Sequence, residues 1–413
     1  MKVVISNVFG SFNRGDALLV EGVVNSINES LGGTYTIAGI AQFPELERTH
    51  LPIVRWLEAP TRSRASAVSL RRFVNAYLLV CVLAYLVFPL VGRVFLWAMP
   101  KSRREAVLVL SEADLVISCA GGFLLDVNKS IYGNLLQLII ALRGGARVII
   151  APQTIGPISS LCAKFITKKV LSSVEVVCVR EDCSYQFLTE ELLLSGDKII
   201  RGKDIAFDQN VACVPEAGRM ILGELGVDHR KSIVGCTVVD WPFPDAKDPK
   251  EARERYVIEF ARLLREIHEA YDCQFVLFNQ VASDLSLGKR LAQLCAPWVT
   301  VDESDRSTME MRNMISACDY FIGSRFHSCV FSLLAGIPTI SIAYTYKSTG
   351  IMRDLDMGDL VFDISTFDAC ELKELLGDMF DRREYYVERV RRGRSQLEYP
   401  DFSEVLRGML SQS

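Results

Sequence analysis

Two successive runs of apolar strand segments alternating with amphipathic helices constrain the fold of this chain more than any other feature. The first run begins at Val3-Val4-Ile5 and continues to about residue 207, and the second occupies residues 228–390. Strand segments that are apolar throughout are typical of parallel sheets with helices on both faces. The pattern therefore predicts an α/β protein with two doubly wound, Rossmann-like parallel-sheet domains.

The length of 413 residues is sufficient for two ordinary domains. We predict an N-terminal domain over residues 1–210, a C-terminal domain over residues 228–390, and a charged helical tail over residues 391–413. The boundary is placed near residues 208–230, where the alternation stops and restarts. We find no short repeat, which excludes solenoid folds.

Composition excludes several functional classes. The net charge of −4 gives no sign of the basic surface that binding to nucleic acid requires. The 12 cysteines are scattered without a C-x-x-C pair, so we expect reduced, buried thiols in a cytoplasmic protein. We see no cluster of metal ligands. The first residues read as a strand and not as a signal peptide, because no apolar core or cleavage site follows them.

One apolar segment departs from the pattern of a soluble protein. Residues 76–91 carry no charge, and a second apolar stretch runs from Val94 to Met99. As a helix, the first segment would be about 24 Å long, less than the ~30 Å hydrocarbon core of a bilayer. Cations flank the segment, and Trp97 could anchor it. We therefore expect the excursion at about 70–100 to lie in the membrane interface through residues 76–99, with a buried helix as the alternative.

The first strand and the first helix are joined by a loop rich in glycine and polar residues. Gly15 allows the backbone to approach a ligand closely, and Asn13 precedes it. The loop lacks both the dinucleotide G-x-G-x-x-G spacing and the Gly-Lys-Ser/Thr end of a P-loop. Asp16 has two readings that the sequence leaves open: an N-cap, or a carboxylate that accepts a hydroxyl proton.

Three further loops of the first domain are predicted at the carboxyl ends of strands. They contain Gly121-Gly122, then Gln153 with Gly156, and finally Arg180. Each is a weak signal alone. The carboxyl ends of the strands of a parallel sheet lie along one edge, so these three loops should lie close together. Together with the loop of Arg325, they favour a ligand site in a cleft between the domains.

The second domain carries the most informative motif, Gly323-Ser324-Arg325-Phe326-His327. The motif follows a buried strand, where open α/β sheets place their ligands. A fixed cation beside a group that titrates near neutrality suits an anionic substrate to which a proton must be moved. A capping arginine and a structural histidine remain the alternative.

These motifs, taken in order, resemble the polysaccharide pyruvyl transferase family. The resemblance rests on short motifs spread over nearly the whole chain: Asn13-x-Gly15-Asp16, Gly121-Gly122, Gln153-x-x-Gly156-Pro157, Val179-Arg180-Glu181-Asp182, Asp204-x-Ala206-Phe207, Gly323-x-Arg325-x-His327, Gly336-x-Pro338 and Tyr344-x-x-Lys347. The stretch from Gly235 to Trp241 further resembles the colanic-acid-type branch. The family usually has leucine where this chain has Phe326, and the apolar excursion lies outside its pattern.

The resemblance implies a GT-B-like fold, with the two Rossmann-like domains facing across a cleft and the N-terminal domain on the acceptor side. It implies transfer of a pyruvyl group from phosphoenolpyruvate to a sugar diol, giving a cyclic ketal and phosphate without any cofactor. His327 would then be the general acid and Asp16 the base. The residues that would bind substrates are Arg325, Arg180, Lys347, Asn13, Gly15, Gly121, Gly122, Gln153 and Gly156.

The acceptor is expected to be lipid-linked, and the enzyme to be peripheral on the inner face of the cytoplasmic membrane. Two other functions remain open from the sequence. A GT-B glycosyltransferase that uses a nucleotide-sugar would share the architecture, and a non-catalytic subunit of a glycan-assembly complex would share the fold without turnover. The acceptor sugar, the ketal stereochemistry and the oligomeric state cannot be read from the sequence.

Overall fold

The chain folds as two α/β units, each built around one parallel sheet. The computed structural model describes residues 1–11, 13–62, 64, 66–125, 130–207 and 213–411, without the side chains of residues 89–91 and 346–347. Unit 1 comprises Met1–Phe12, Asp16–Gln209 and Tyr399–Ser413. Unit 2 comprises Asn13–Gly15 and Asn210–Glu398. Part of the predicted boundary region, residues 208–212, lies outside the described residues.

All strand pairs in the two sheets are parallel. The strands are β1 (Lys2–Val8), β2 (Thr36–Ala41), β3 (Arg55–Glu58), β4 (Leu115–Ser118), β5 (Gly121–Leu124), β6 (Arg147–Ile155), β7 (Val176–Val179), β8 (Ile199–Arg201), β9 (Ile233–Thr237), β10 (Gln274–Leu277), β11 (Val299–Val301), β12 (Tyr320–Gly323), β13 (Thr339–Ala343) and β14 (Val361–Asp363).

Helices connect most of these strands. They are α1 (Arg14–Ser30), α2 (Pro44–His50), α3 (Val68–Val87), α4 (Pro89–Trp97), α5 (Lys101–Ser111), α6 (Ser130–Gly144), α7 (Leu161–Ser173), α8 (Asp182–Gln186), α9 (Pro215–Glu224), α10 (Pro249–Tyr271), α11 (Leu285–Leu294), α12 (Thr308–Ser316), α13 (Phe326–Leu334), α14 (Tyr346–Asp354), α15 (Ala369–Asp381), α16 (Arg383–Ser395) and α17 (Phe402–Ser411).

Both sheets have the strand order of a doubly wound fold. The order in unit 1 is β3-β2-β1-β4-β6-β7-β8, with β5 paired to β6 off this path. In unit 2 it is β11-β10-β9-β12-β13-β14, which is the Rossmann order when the strands are counted from β9. In each sheet, successive strands are added first on one side of the first strand and then on the other. The switch point therefore lies beside β1 in unit 1 and beside β9 in unit 2. Ligands of such sheets bind at the carboxyl ends of these strands.

The core of unit 1 lies on both faces of its sheet, because successive residues of a strand point to opposite sides. Val3 and Ile5 pack into one cluster together with α1, whereas Val4 packs into the other with α5 and α6. All three valine and isoleucine side chains are almost fully buried. This explains why residues 3–5 of β1 are all apolar and confirms the predicted parallel-sheet α/β class.

The apolar excursion folds as two helices, α3 and α4, which we call the hairpin. Gly92 of α4 lies so close to α3 that a Cβ atom there would be 2.4 Å from the Tyr85 Cα atom, so the two helices touch through their backbones. Leu78, Val82 and Leu96 bury one side of the hairpin in the core of unit 1. Helix α3 has 20 residues, and the sequence-based length of 16 was therefore too short.

The predicted C-terminal tail, residues 391–413, divides between the units. Helix α16 ends at Ser395 in unit 2, whereas α17 belongs to unit 1. Phe402 and Leu406 of α17 are buried in the cluster that covers the α1 face of the unit 1 sheet. One ion pair and one hydrogen bond connect this segment to the rest of unit 1. Lys203 pairs with Asp401 at 2.8 Å, and Arg147 donates to the Met409 carbonyl at 2.8 Å.

Candidate functional site

Arg325 and His327 lie in the turn between β12 and α13 of unit 2, where the sequence predicts them. Gly323 ends β12, and a Cβ atom there would be only 2.2 Å from the Cys329 sulfur, so glycine lets α13 pack against the strand end. Arg325 occupies the position before the first helical residue, and His327 lies in the first turn. This geometry places both side chains at the carboxyl edge of the sheet.

The guanidinium of Arg325 is held by a buried carboxylate. Its Nε and Nη2 atoms donate to the two carboxylate oxygens of Asp284, each at 2.7 Å. Asp284 also accepts a hydrogen bond from the Asp240 backbone at 3.0 Å. Burial lowers the pKa of Arg325, but its bond to Asp284 and its contact with Tyr344 outweigh burial, and the pKa is raised. The group therefore stays a fixed cation.

The turn itself is tied to the end of β9 by hydroxyl groups. The Arg325 backbone nitrogen donates to Thr237 Oγ1 at 3.3 Å, and Thr237 Oγ1 lies 2.7 Å from Ser328 Oγ. Ser324 Oγ lies 3.0 Å from the hydroxyl of the fully buried Tyr256. Burial, the largest influence, raises the Tyr256 pKa well above its usual value, so this hydroxyl remains protonated. These bonds fix the backbone from which Arg325 and His327 project.

His327 packs against Gly15 within unit 2. Its side chain is 8% exposed, and a Cβ atom on Gly15 would be 1.9 Å from its Nδ1 atom. Asn13 Oδ1 accepts hydrogen bonds from the Gly15 backbone at 3.1 Å and from Gln280 Nε2 at 3.3 Å. The structure therefore gives Gly15 a specific reason to be glycine, since any side chain would displace the imidazole.

Asp16 does not cap the first helix. Helix α1 begins at Arg14, and the bond from the Gly15 nitrogen to Asn13 Oδ1 makes Asn13 the capping residue. Asp16 lies in the first turn of α1, in unit 1. The pKa of the buried Cys119 thiol, just after β4, is raised well above its usual value, first by burial and then by the charges of Asp16 and Glu47. Asp16 is thus close to the carboxyl end of β4.

Arg180 of unit 1 is engaged in a buried network and is not an open anion-binding side chain. Its guanidinium lies 2.5 Å from Asp204 and 3.6 Å from Glu181, and its Nε atom donates to Thr154 Oγ1 at 3.1 Å. The Arg180 side chain is 4% exposed. The prediction that Arg180 binds the donor stays a prediction, and the structure adds that two carboxylates already compete for its charge.

The other predicted positions of unit 1 have mixed outcomes. Strand β6 extends through Ile155, so Gln153 is a fully buried strand residue and not part of a loop. Gly156 has φ of +75°, and a Cβ atom there would be 2.3 Å from the Phe187 ring. Gly121 has φ of +141° and lies similarly close to Phe123. Backbone conformation and packing thus account for both glycines without a ligand.

Gly122 lines a cavity in unit 1, which we call the strand-end cavity. Its volume is about 900 Å³. Asn7 lies near the end of β1, Gln42 directly follows β2, and α6 supplies Gln137. Gly122 is the second residue of β5 and so does not lie in the predicted loop. Three arginines also line the cavity: Arg62, Arg64 and Arg71. The volume is in the range of small-molecule sites, which are about 300–1,000 Å³.

Sequence reasoning missed two buried carboxylates near the predicted sites. Asp284 is 3% exposed and orients Arg325. Glu47 of α2 is fully buried and accepts a hydrogen bond of 2.6 Å from the Ser11 backbone, in the loop after β1. Burial is the main reason that the pKa of Glu47 is raised. Neither residue lies in a recognised motif. Asp284 directly precedes the amphipathic helix α11, and an acidic residue at that position is a signal that could have drawn attention to it.

The predicted site residues therefore group by unit. Arg325, His327, Asn13 and Gly15 belong to unit 2 and lie at or near the end of β12. Asp16, Arg180 and the remaining glycines and Gln153 belong to unit 1. The Lys347 side chain lies outside the described residues, although its backbone is in the first turn of α14.

Comparison with known proteins identifies relatives over most of the chain. Residues 13–346 match the family model described as polysaccharide pyruvyl transferase. The chain is also 22% identical to the amylovoran biosynthesis protein AmsJ of Erwinia amylovora, over 96% of each chain. The family match includes every predicted site residue except Lys347.

Solved structures of low sequence identity share the fold. The UDP-GlcNAc 2-epimerase of Neisseria meningitidis is 12% identical with a TM-score of 0.63, and the match covers 100% of both chains. A glycosyltransferase of Rickettsia africae is 11% identical with a TM-score of 0.61 over 100% of this chain and 98% of its own. These neighbours confirm the predicted GT-B-like class, and at such identity they show the fold alone.

Proposed function

Since this chain belongs to the polysaccharide pyruvyl transferase family, we propose that it moves the pyruvyl group of phosphoenolpyruvate onto a sugar diol of a polysaccharide repeat unit. The products are a cyclic pyruvate ketal and phosphate. The acceptor proposed here is a lipid-linked glycan. The observation that carries the proposal is the turn of Arg325 and His327, in which a held cation and an imidazole adjoin at one strand end.

The chemistry requires an acid, a base and a cation. A hydroxyl oxygen of the sugar bonds to C2 of phosphoenolpyruvate, its proton passes to a base, and C3 gains a proton to become a methyl group. The second hydroxyl oxygen then bonds to C2, loses its proton, and displaces phosphate. We assign the protonation of C3 to His327 and the first deprotonation to Asp16.

Arg325 suits the donor because phosphoenolpyruvate carries a carboxylate and a phosphate. Asp284 occupies Nε and Nη2, which fixes the plane of the guanidinium. The guanidinium also lies 5.9 Å from the centre of the Tyr344 ring, and the side chain keeps 17% of its exposure. A guanidinium held in this way offers two directed hydrogen bonds to an oxyanion.

One experiment tests the activity directly. Purified protein is incubated with phosphoenolpyruvate and a panel of lipid-linked oligosaccharides, and released phosphate and the mass of the glycan are measured. We expect phosphate release together with a glycan mass gain that corresponds to one ketal-bound pyruvate. Glycan extension with a nucleotide-sugar and no turnover of phosphoenolpyruvate would favour a GT-B glycosyltransferase instead.

We also propose that the hairpin holds the enzyme on the surface of an anionic membrane, on the cytoplasmic side. Twelve large apolar side chains of residues 68–97 are exposed, among them Phe73 (71% exposed) and Trp97 (73% exposed). Residues 61–104 contain eight arginines and lysines and no acidic residue. Apolar side chains beside cations are what an interface with anionic lipid binds.

Length alone would allow a different role for α3. Among the described residues it is the one helix long and apolar enough to cross a membrane, and 22% of its most apolar window is buried. However, β3 before the hairpin and β4 after it belong to the same sheet, and α4 has only 9 residues. Because α5 packs in the core of unit 1, a spanning α3 would leave α4 to return the chain, and nine helical residues extend about 13 Å. An interfacial position is the arrangement that this topology favours.

A further inference from the structure

We propose that the strand-end cavity binds the diphosphate of a prenyl-diphosphate-linked glycan, with Arg62 and Arg71 as the anion-binding side chains. This inference rests on the proposed function and adds to it a binding site for the anchor of the acceptor. Every residue that lines the cavity belongs to unit 1, whereas the turn of Arg325 belongs to unit 2.

The first argument is an excess of positive charge. Three arginines line the cavity, and no carboxylate is found among its described lining residues. Arg64 is balanced by ion pairs with Glu45 and with Glu58, the latter at 3.4 Å. Arg71 makes no ion pair within the described part of the chain. One guanidinium of the cavity therefore still lacks a counterion.

Arg62 is the second cation without a carboxylate. Its side chain is half-buried, and among the described residues it donates only to the amide oxygen of Gln42. Burial, with no nearby carboxylate to oppose it, lowers the pKa of Arg62. A partly buried charge without an opposite charge is costly unless a ligand supplies one.

The second argument is the direction in which the cavity changes from polar to apolar. Arg71, Asn75 and Leu79 all line it, and their four-residue spacing places them along one face of α3. Over these eight residues the helix advances about 12 Å, from a cation to an apolar side chain. Leu79 is 40% exposed and continues into the exposed apolar surface of the hairpin. A ligand here meets charge at one end and hydrocarbon at the other.

The third argument is a polar end suited to a sugar. Asn7, at the end of β1, has φ of +62°, and its backbone nitrogen donates to Gln137 Oε1 at 3.1 Å. The Asn7 side chain is 3% exposed, and its Oδ1 atom has no hydrogen-bond partner among the described residues. A sugar hydroxyl could donate to this oxygen.

These three features occur in the order in which a prenyl-diphosphate-linked glycan presents its parts. The sugar would face Asn7 at the strand ends, the diphosphate would lie against Arg62 and Arg71, and the first isoprene units would follow Leu79 toward the hairpin surface. Phosphoenolpyruvate satisfies only the charged part, because it has no hydrocarbon tail. We therefore assign the cavity to the anchor of the acceptor and not to the donor.

Binding of farnesyl diphosphate to the full chain tests the assignment without any turnover. Calorimetric titration compares the wild type with Arg71→Gln, Arg62→Gln and the control Arg72→Gln, whose side chain is next to Arg71 but does not line the cavity. Loss of one charge-assisted contact should weaken binding at least about tenfold in the first two variants. Arg72→Gln should stay within about twofold of the wild type. Farnesol and inorganic diphosphate should each bind more weakly than farnesyl diphosphate.

Several outcomes would overturn the assignment. Arg71 is an exposed helical residue, so the Arg71→Gln variant should fold normally. If this variant binds farnesyl diphosphate as tightly as the wild type, Arg71 does not bind the diphosphate. Equal competition by short-chain phosphatidylglycerol would make the cavity a phospholipid site. A rise of the phosphoenolpyruvate KM in Arg71→Gln, matching the loss of farnesyl diphosphate affinity, would make it the donor site. If the protein binds farnesyl diphosphate as expected but never releases phosphate from phosphoenolpyruvate, the proposed function fails and the anchor site stands.

Discussion

Asp284 is the residue that turns Arg325 from a flexible cation into an oriented one. We predict that Asp284→Asn raises the phosphoenolpyruvate KM on the order of 10-fold, because an amide cannot accept both N–H bonds of the guanidinium. The acceptor KM should change little. Steady-state kinetics with each substrate varied in turn measures both values. A variant with equal effects on the two KM values would show that Asp284 acts on the fold of unit 2 as a whole.

His327 is the proposed acid. Replacement by alanine should lower phosphate release about 10²–10⁴-fold, which is the usual contribution of a general acid. Circular dichroism and thermal unfolding serve as the control, since the ring packs against Gly15 and its removal leaves a small void. If a folded His327→Ala protein keeps near-normal turnover, the imidazole is a packing group and the proposed mechanism is wrong.

Asp16 does not cap helix α1, so its proposed role as a base can be tested without loss of the cap. Because Asn13 supplies the cap, Asp16→Asn should keep the fold and lose the charge–dipole interaction of the first turn, about 0.3–1 kcal/mol. Activity should nevertheless fall about 10²-fold or more, because an amide cannot accept a hydroxyl proton. Chemical denaturation and phosphate release are measured on the same sample. Full activity of Asp16→Asn would exclude a role as base.

Single residues differ in how far the sequence could predict them. Arg325 and His327 could be placed correctly because they adjoin an apolar strand whose end is clear. Asp284 could not, since its partner lies 41 positions away and no local pattern records the pairing. Gly156 was read as a ligand-approach glycine, but Phe187, 31 positions further along the chain, is what excludes a side chain there.

The hairpin supports a prediction about membrane binding. Phe73, Val80 and Val87 are exposed and lie at seven-residue spacing on one face of α3. The wild type should float with phosphatidylglycerol liposomes at low salt, and the triple Phe73→Ser, Val80→Ser, Val87→Ser variant should stay in the soluble fraction. Raising the salt should weaken the binding of the wild type, because screening reduces the contribution of the flanking cations.

A matched control uses exposed apolar residues of the same unit outside the hairpin. The triple Leu161→Ser, Phe165→Ser, Leu193→Ser variant removes a similar exposed area and should float like the wild type. Leu86 is unsuitable for such a test, since it is buried against the core. The membrane proposal fails if the wild type shows no flotation, or if both triple variants lose it equally.

Helices and strands were predictable to different degrees. The strands of both sheets follow from apolar runs, which helices on both faces require. The first and last residues of α3 could not be predicted in this way, because the uncharged stretch of residues 76–91 was taken as the helix. Arg71 and Arg72 lie at exposed positions within α3, where a charge is tolerated, so the first uncharged residue does not mark the start of the helix.

The two units depend on each other through the path of the chain. Phe402 of α17 is fully buried in the core of unit 1, although the chain up to Glu398, just before this segment, belongs to unit 2. We predict that Phe402→Ala lowers the free energy of unfolding by about 3–5 kcal/mol, the cost of a large cavity in a core. Denaturant unfolding followed by fluorescence measures the change. A loss below about 1 kcal/mol would indicate that α17 is only loosely attached.

At the level of the whole chain, the two parallel-sheet units could be predicted because the alternation of strand and helix stops and restarts. The return of α17 to unit 1 could not. Its apolar residues, including Phe402, Val405 and Leu406, indicate an amphipathic helix but do not record which sheet it covers. Which sheet α17 covers depends on the fit of its side chains and on contacts such as the ion pair between Lys203 and Asp401, which are 198 residues apart in the sequence.

This return of α17 has a consequence for biosynthesis. The ribosome makes all of unit 2 before it makes the helix that completes the core of unit 1. Domains usually fold in the order of their synthesis, but here the N-terminal unit must wait, with part of its α1-side core uncovered, until residues 402–411 emerge. Unit 2, continuous from residue 210 apart from Asn13–Gly15, can fold in the meantime. The nascent chain should therefore reach its native state from the later unit to the earlier one.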